Sequence, residues 1–251
     1  MPDPTLQRLR LTYSKGEAIR FISNLDLMRL WERAARRAGL PLAYSHGFNP
    51  QPKIANAHAL PVGCAGENEV LDMWLETRTE PEEVARRLRD ALPPAAQLIC
   101  VEETDPHEPS LQSRVGAAEY RAYIQTEEAE STLTERVQAL LSAQELPRRH
   151  VRHGKPPVVY DLRPLLLALR LSGRAAGEAI FWMRLRAEPG ATGRPDEVLD
   201  ALGLADAPRR VVRERLIFTE RAQMAPTMAT PVISSDEDAD ESPLERADCP
   251  G

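Results

Sequence analysis

The same succession of hydrophobic periods occurs twice in this chain, and it limits the available folds more than any single motif does. In the first half, Leu9, Leu11 and Tyr13 alternate with Arg8, Arg10 and Thr12, the period of a half-buried strand. A helix follows, with Ser23 or Asn24 as N-cap, Asp26 in the first turn, Gly39 ending it and Pro41 beyond. Leu27, Met28, Trp31, Ala34, Ala35 and Ala38 form its apolar face. "LAYS" reads as a short strand, "EVLDMWLET" as another, "EPEEVARRLRDAL" as a helix with Pro81 at its start, and "AQLICVEE" as a fourth strand. From "EYRAYIQT" the order returns. That strand precedes the helix "TLTERVQALLSA", a hairpin region over "LPRRHVRHGKPPVVYDL", the strand "EAIFWMRLRAE", the helix "RPDEVLDALG" and a last strand "RRVVRERLIF".

A βαββαβ unit closes as one sheet with both helices on one face. The sequence therefore predicts an α+β chain of tandem ferredoxin-like units. The expected boundaries are 6–104 for the first unit, with a long loop over 45–68, then a linker at 105–116 and a second unit at 117–219. Residues 220–251 carry eight acidic and two basic side chains and little apolar content, so they read as a disordered acidic tail. That tail accounts for the whole formal charge of −6. The rest of the chain is neutral, and the acidic pI says nothing against an anionic ligand.

Cys64, Cys100 and Cys249 are too few and too scattered for a disulfide framework, a zinc site or an iron–sulfur cluster, so no metal is expected in this chain. No signal-peptide pattern or long apolar run appears, which gives the expectation of a cytoplasmic protein without a membrane partner.

Three features carry candidate chemistry. The first is the loop "YSHGFNPQPKIANAHALPVG". Connections this long and rich in turn-formers are functional or disordered, and Phe48, Ile54, Leu60 and Val62 argue against disorder. Ser45, His46, Gly47, Asn49 and Lys53 are its candidate ligand-binding residues, with Phe48, Pro50 and Ile54 expected to anchor it. Were the chain an enzyme, His46 and His58 would be the acid–base candidates and Lys53 the stabiliser of developing phosphate charge. A purely structural loop is the competing reading. In the second feature, "RHVRHGKPPVVYDLRP", Arg152, Lys155, Asp161 and Arg163 gather as further candidate ligand residues, or as a pair or cap within the fold.

The third is arginine interleaved with aromatics. Phe181, Met183 and Leu185 suit a helix-packed core, which puts Trp182 and Arg184 on the opposite sheet face, with Arg121 and Tyr123 from the other central strand. Such a face resembles the stacking platform of single-stranded RNA binders, or it packs against other protein. Arg29, Arg33, Arg36 and Arg37 form a stripe on the first helix that either tracks phosphates or is solvated.

The segment from "LRLTYSKGEAIRFISNLDL" through "GLPLAYSHGFNPQPKIANAHALPVG" closely resembles the domain of unknown function of radical-SAM-linked proteins, found free or fused behind a radical S-adenosylmethionine domain. Lys15, Phe21, Ser23, Leu25 and Asp26 match its pattern, as do Ser45, Gly47, Phe48, Asn49, Pro50, Pro52, Lys53 and Gly63, and later Arg152, Lys155, Asp161 and Arg163. Asn24 stands where that family usually has histidine, which weakens an acid–base role there. The resemblance implies a radical-SAM enzyme as partner, with the iron–sulfur cluster and S-adenosylmethionine on the partner and no cofactor in this chain. The resulting expectation is a non-catalytic accessory protein that binds RNA or presents a substrate. A metal-independent, ribonuclease-like enzyme and a plain protein–protein module are the alternatives.

Overall fold

Inward positions of the first strand are filled by Leu9, Leu11 and Tyr13, all fully buried, as the alternation requires. The computed structural model describes residues 6–150 and 158–219. Its first unit runs β1 (Gln7–Lys15), α1 (Asn24–Arg37), β2 (Ile54–Asn56), β3 (Cys64–Leu75), α2 (Pro81–Ala91) and β4 (Ala96–Thr104). All contacts among these strands are antiparallel, in the order β4-β1-β3-β2. Helix α1 begins where Ser23 Oγ accepts the Asp26 N–H at 3.1 Å. It ends at Gly39, whose φ of +63° lets the Leu40 N–H reach back to the Ala35 carbonyl.

The second unit follows a short α3 (Leu111–Arg114). It comprises β5 (Val115–Gln125), α4 (Glu130–Ser142), the hairpin β6 (Pro147–His150) and β7 (Val158–Asp161), β8 (Leu166–Ala175), β9 (Glu178–Glu188), β10 (Ala191–Thr192), α5 (Pro195–Ala201) and β11 (Arg209–Phe218). Its main strands lie in the order β11-β5-β9-β8, the same ferredoxin-like arrangement as the first. The fold is α+β with two such units, as the repeated periods imply.

Two elements differ from the sequence reading. The strand placed at "LAYS" is only a pair of isolated bridges, Leu42 to Leu75 and Tyr44 to Pro52, and the edge strand proper is Ile54–Asn56. Strand β8, in "LLALRLSGRA", follows directly on the turn at Arg163–Leu165 and escaped the periodic reading, although Leu167, Leu169 and Leu171 alternate there.

β2 is so short that it covers only Leu71–Met73 of β3. The free stretch Cys64–Gly66 is taken by β11, which pairs with it in parallel through Val211–Arg213. This contact joins the units into one sheet, and the described residues form one compact body. The tail at 220–251 and the segment with Arg152 and Lys155 lie outside the described residues.

Candidate functional site

The junction strands put charge into the core. Glu69 and Arg213 face inward on β3 and β11, both 0 % exposed, and form an ion pair through Arg213 Nε (2.8 Å) and Nη2. The same guanidinium donates from Nη2 to the His58 carbonyl at 2.8 Å and from Nη1 to the His58 ring at 3.1 Å. His58 Nδ1 is thus the acceptor, and burial followed by the neighbouring Arg213 charge pulls its pKa down to about 4. Burial by itself would lower Arg213, but the Glu69 carboxylate overrides this and raises it. Cys64, alongside, is pushed up to about 11, first by burial. Nearby, the buried Lys15 ammonium caps the turn before α1 by donating to the carbonyls of Arg20 (3.1 Å) and Ile22 (3.3 Å). Neither member of the Glu69–Arg213 pair was singled out from sequence, although a charged residue in the inward register of each strand is a readable signal.

The long loop is built from backbone bonds. Ala43 N–H donates to Trp74, Lys53 N–H to Ala43, Ser45 N–H to Gln51, and the Gln51 N–H returns to Ser45 Oγ at 2.9 Å. Ser45 thereby clasps an excursion over residues 46–50, with Gly47 at φ +129°. Phe48, expected to anchor the loop, is instead its fully exposed tip at 112 % exposure. The Ser45–Gln51 clasp closes the loop at its base, and the Phe48 ring projects beyond it into solvent. His46 and Asn49 are exposed on the same excursion, and Lys53 is half-buried. Among the described residues no hydrogen bond or ion pair links His46, His58 and Lys53. Asn24 accepts a hydrogen bond from Asn56 Nδ2 at 3.0 Å and ties the start of α1 to β2.

Asp161 and Arg163 act within the fold. Asp161 Oδ1 accepts the N–H groups of Leu146 (2.7 Å) and Arg163 (2.9 Å). The Arg163 fork donates to the carbonyls of Leu141, Ala143 and Leu166, which closes the C-terminal end of α4.

The residues expected to form one nucleic-acid face divide between the two sides of the sheet. Arg29, Arg33 and Arg36 lie on α1, on the helical side. Arg29 pairs with Asp26 and Arg36 with Glu32. Trp182, Arg184 and Tyr123 lie on the opposite side, behind the buried row Phe181, Met183 and Leu185.

On that helix-free side the two units differ. In the first, Arg8 (2 % exposed) and Asp72 (0 %) are sealed beneath the linker, with Arg8 donating to the carbonyls of Glu108 (2.7 Å) and Pro109 (3.2 Å). In the second, register places Trp182 between Arg121 on β5 and Arg170 on β8, and Tyr123 beside Arg210 on β11. The Arg170 guanidinium stacks on the indole at 4.0 Å, with Arg184 at 5.6 Å, and Arg210 stacks on Tyr123 at 3.7 Å. Glu119 is almost fully buried and is shared by Arg184 and Arg215, whose side chains are 43 % and 60 % exposed. Burial would raise this carboxyl, and the two guanidiniums hold it below its ordinary value. Arg121 pairs with Glu214. Arg170 and Arg210 have no carboxylate partner among the described residues. Both were missed from sequence, Arg170 because its strand was.

Among the described residues no helix is long and apolar enough to cross a membrane, and no group of three or more His, Cys, Asp or Glu is placed to hold a metal ion.

Residues 8–195 match the model of a family described as "Uncharacterized protein conserved in bacteria (DUF2344)". No curated protein matches the sequence. Among solved structures, a Cbf5-Nop10-Gar1 complex is similar at 10 % identity and a TM-score of 0.44, covering 84 % of this chain and 49 % of that one. An H/ACA RNP bound to a substrate RNA is similar at 10 % identity and 0.43, over 84 % and 47 %. The chain thus spans about half the length of these two. The acetolactate synthase small subunit from Thermotoga maritima is similar at 10 % identity and 0.25, over 86 % and 97 %. The ferredoxin-like assignment rests on the strand order itself.

Proposed function

The chain belongs to this DUF2344 family of uncharacterised bacterial proteins, and we propose that it is a non-catalytic accessory protein whose second sheet face binds single-stranded RNA. The observation that carries this reading is the face of β11-β5-β9-β8, over which no helix or linker packs among the described residues. There Trp182 and Tyr123 are stacked by Arg170 and Arg210, which have no acidic partners among the described residues, while on the equivalent face of the first unit the linker covers Arg8 and Asp72. Aromatic and guanidinium planes stack on unpaired bases, and surplus arginine attracts phosphates, so the two together suit an unpaired polynucleotide better than a neutral ligand. The resemblance of the first 60 or so residues to radical-SAM-linked proteins supports a radical-SAM enzyme as the protein served, with its cluster and S-adenosylmethionine on that enzyme.

A ribonuclease-like reading through His46, His58 and Lys53 is less favoured. The His58 ring accepts from Arg213 and stays neutral far below physiological pH, which suits a structural role better than proton exchange near neutrality.

The test is fluorescence anisotropy of a labelled single-stranded RNA at two salt concentrations, with gel analysis of the same samples for cleavage. Binding should weaken as salt rises. Trp182→Ala should reduce affinity by roughly 5- to 150-fold, the value of one stacked base. The double variant Arg170→Ala/Arg210→Ala should flatten the salt dependence. RNA binding equal to wild type in all these variants removes the face from the account. Cleavage abolished by both His46→Ala and His58→Ala overturns the non-catalytic reading. Co-purification with a radical-SAM enzyme, or its absence, decides the partner.

A further inference from the structure

On the opposite side of the sheet, a cleft of about 430 Å³ opens between α1, the turn before it (Ile19, Ile22) and the C-terminal end of α2 (Ala91, Pro93). Its floor is apolar: Ile22, Leu30, Ala34, Ala91 and Pro93. Asp26, Leu30, Arg33, Ala34 and Arg37 fall on one stripe of α1 by helical spacing, so one helix wall presents both floor and rim. The four arginines of that helix are not equivalent. Arg29 is held by Asp26 and Arg36 by Glu32, an arrangement expected of a solvated helix. Arg33 and Arg37, the two that border the cleft, have no carboxylate partner among the described residues. The acid on the rim, Asp26, is occupied by Ser23 and Arg29.

We propose that this cleft receives an acidic amphipathic helix of a partner protein. Small-molecule sites fix their ligand with several convergent polar groups, and here the wall supplies none beyond the guanidiniums and the engaged Asp26. An open apolar trough along one face of α1 instead matches helix-in-groove recognition, in which side chains at i, i+3 and i+4 fill the floor. Arg33 and Arg37 are one turn apart, about 6 Å along the axis, the spacing of two carboxylates at i and i+4 on a facing helix. The apolar floor accounts for affinity, and the unpaired rim sets the charge of the occupant. This proposal stands apart from the RNA reading, since it uses the other side of the sheet.

The probe is a short synthetic helix, fluorescently labelled, with a leucine face flanked by glutamates at i and i+4. A second version carries lysines at the same positions. Anisotropy titrations should show saturable binding of the glutamate peptide to the full chain. The double variant Arg33→Glu/Arg37→Glu should weaken it by at least about tenfold, the scale of two rim ion pairs lost and made repulsive, and should gain affinity for the lysine peptide. Arg36→Glu, on the same helix but off the cleft, should change neither, and unchanged melting temperatures show that the variants fold. The proposal is overturned if both peptides bind wild type equally, if Arg36→Glu matters as much as the double variant, or if neither peptide saturates.

Discussion

Replacing Glu69 by glutamine removes one charge from the junction of β3 and β11 and keeps the side-chain volume. Arg213 then remains fully buried with its positive charge uncompensated, held by neutral groups, the His58 carbonyl and ring and the Tyr120 side chain. Breaking a buried pair from one side costs about 3–5 kcal/mol, because the remaining charge stays desolvated. Set against a total stability of about 5–15 kcal/mol, that is a large fraction. At an m-value of about 2–3 kcal/mol/M the urea midpoint should fall by roughly 1–2.5 M. The companion double variant, Glu69→Met/Arg213→Met, removes both charges and should recover most of the loss, since apolar replacement of a whole buried pair is often neutral. Glu83→Gln, at an exposed pair with Arg86, should leave the midpoint unchanged. Equilibrium urea unfolding at neutral pH, followed by far-UV circular dichroism, reads all three. A Glu69→Gln variant as stable as wild type would show that Arg213 reaches water and that the two units are not welded by this pair.

Other consequences follow from the same geometry. Gly66→Ala places a methyl 2.5 Å from Glu69 Oε1 and 2.6 Å from its Cγ, so it should displace that carboxylate and cost roughly 1–3 kcal/mol, seen as a lowered melting temperature. His58 has a folded pKa of about 4, below its unfolded value of about 6.5, so the unfolded chain takes the proton first. Its contribution is complete above about pH 6.5 and is lost as pH falls to about 4, at most about 3 kcal/mol. Urea midpoints across that window should fall more steeply for wild type than for His58→Gln, and parallel profiles would contradict the assignment. Phe48→Ser should leave the melting temperature unchanged because the ring packs on nothing, whereas a drop of several degrees would mean that the loop tip is buried.

Local rules sufficed for the elements whose period is carried by short-range physics. Ser23, Gly39 and the stripe from Leu27 to Ala35 specify α1 through capping and one apolar face, and alternation specifies β1 and β9. The repeated order of those elements carried the ferredoxin-like class, and the alternation in "AIFWMRLR" put Trp182 and Arg184 on the face away from the core. Tertiary structure decided the rest, because contacts between distant strands leave no local period. Which strand would meet which across the junction depended on β2 being too short to cover β3, and only that pairing brings Glu69 to Arg213 across 144 residues. The linker covers Arg8 and Asp72 in the first unit, and among the described residues nothing equivalent lies over Trp182 and Tyr123 in the second. Ion pairing likewise separated Arg33 from Arg29 and Arg36: all three look equal in the sequence stripe, and only the neighbours on the folded surface tell them apart.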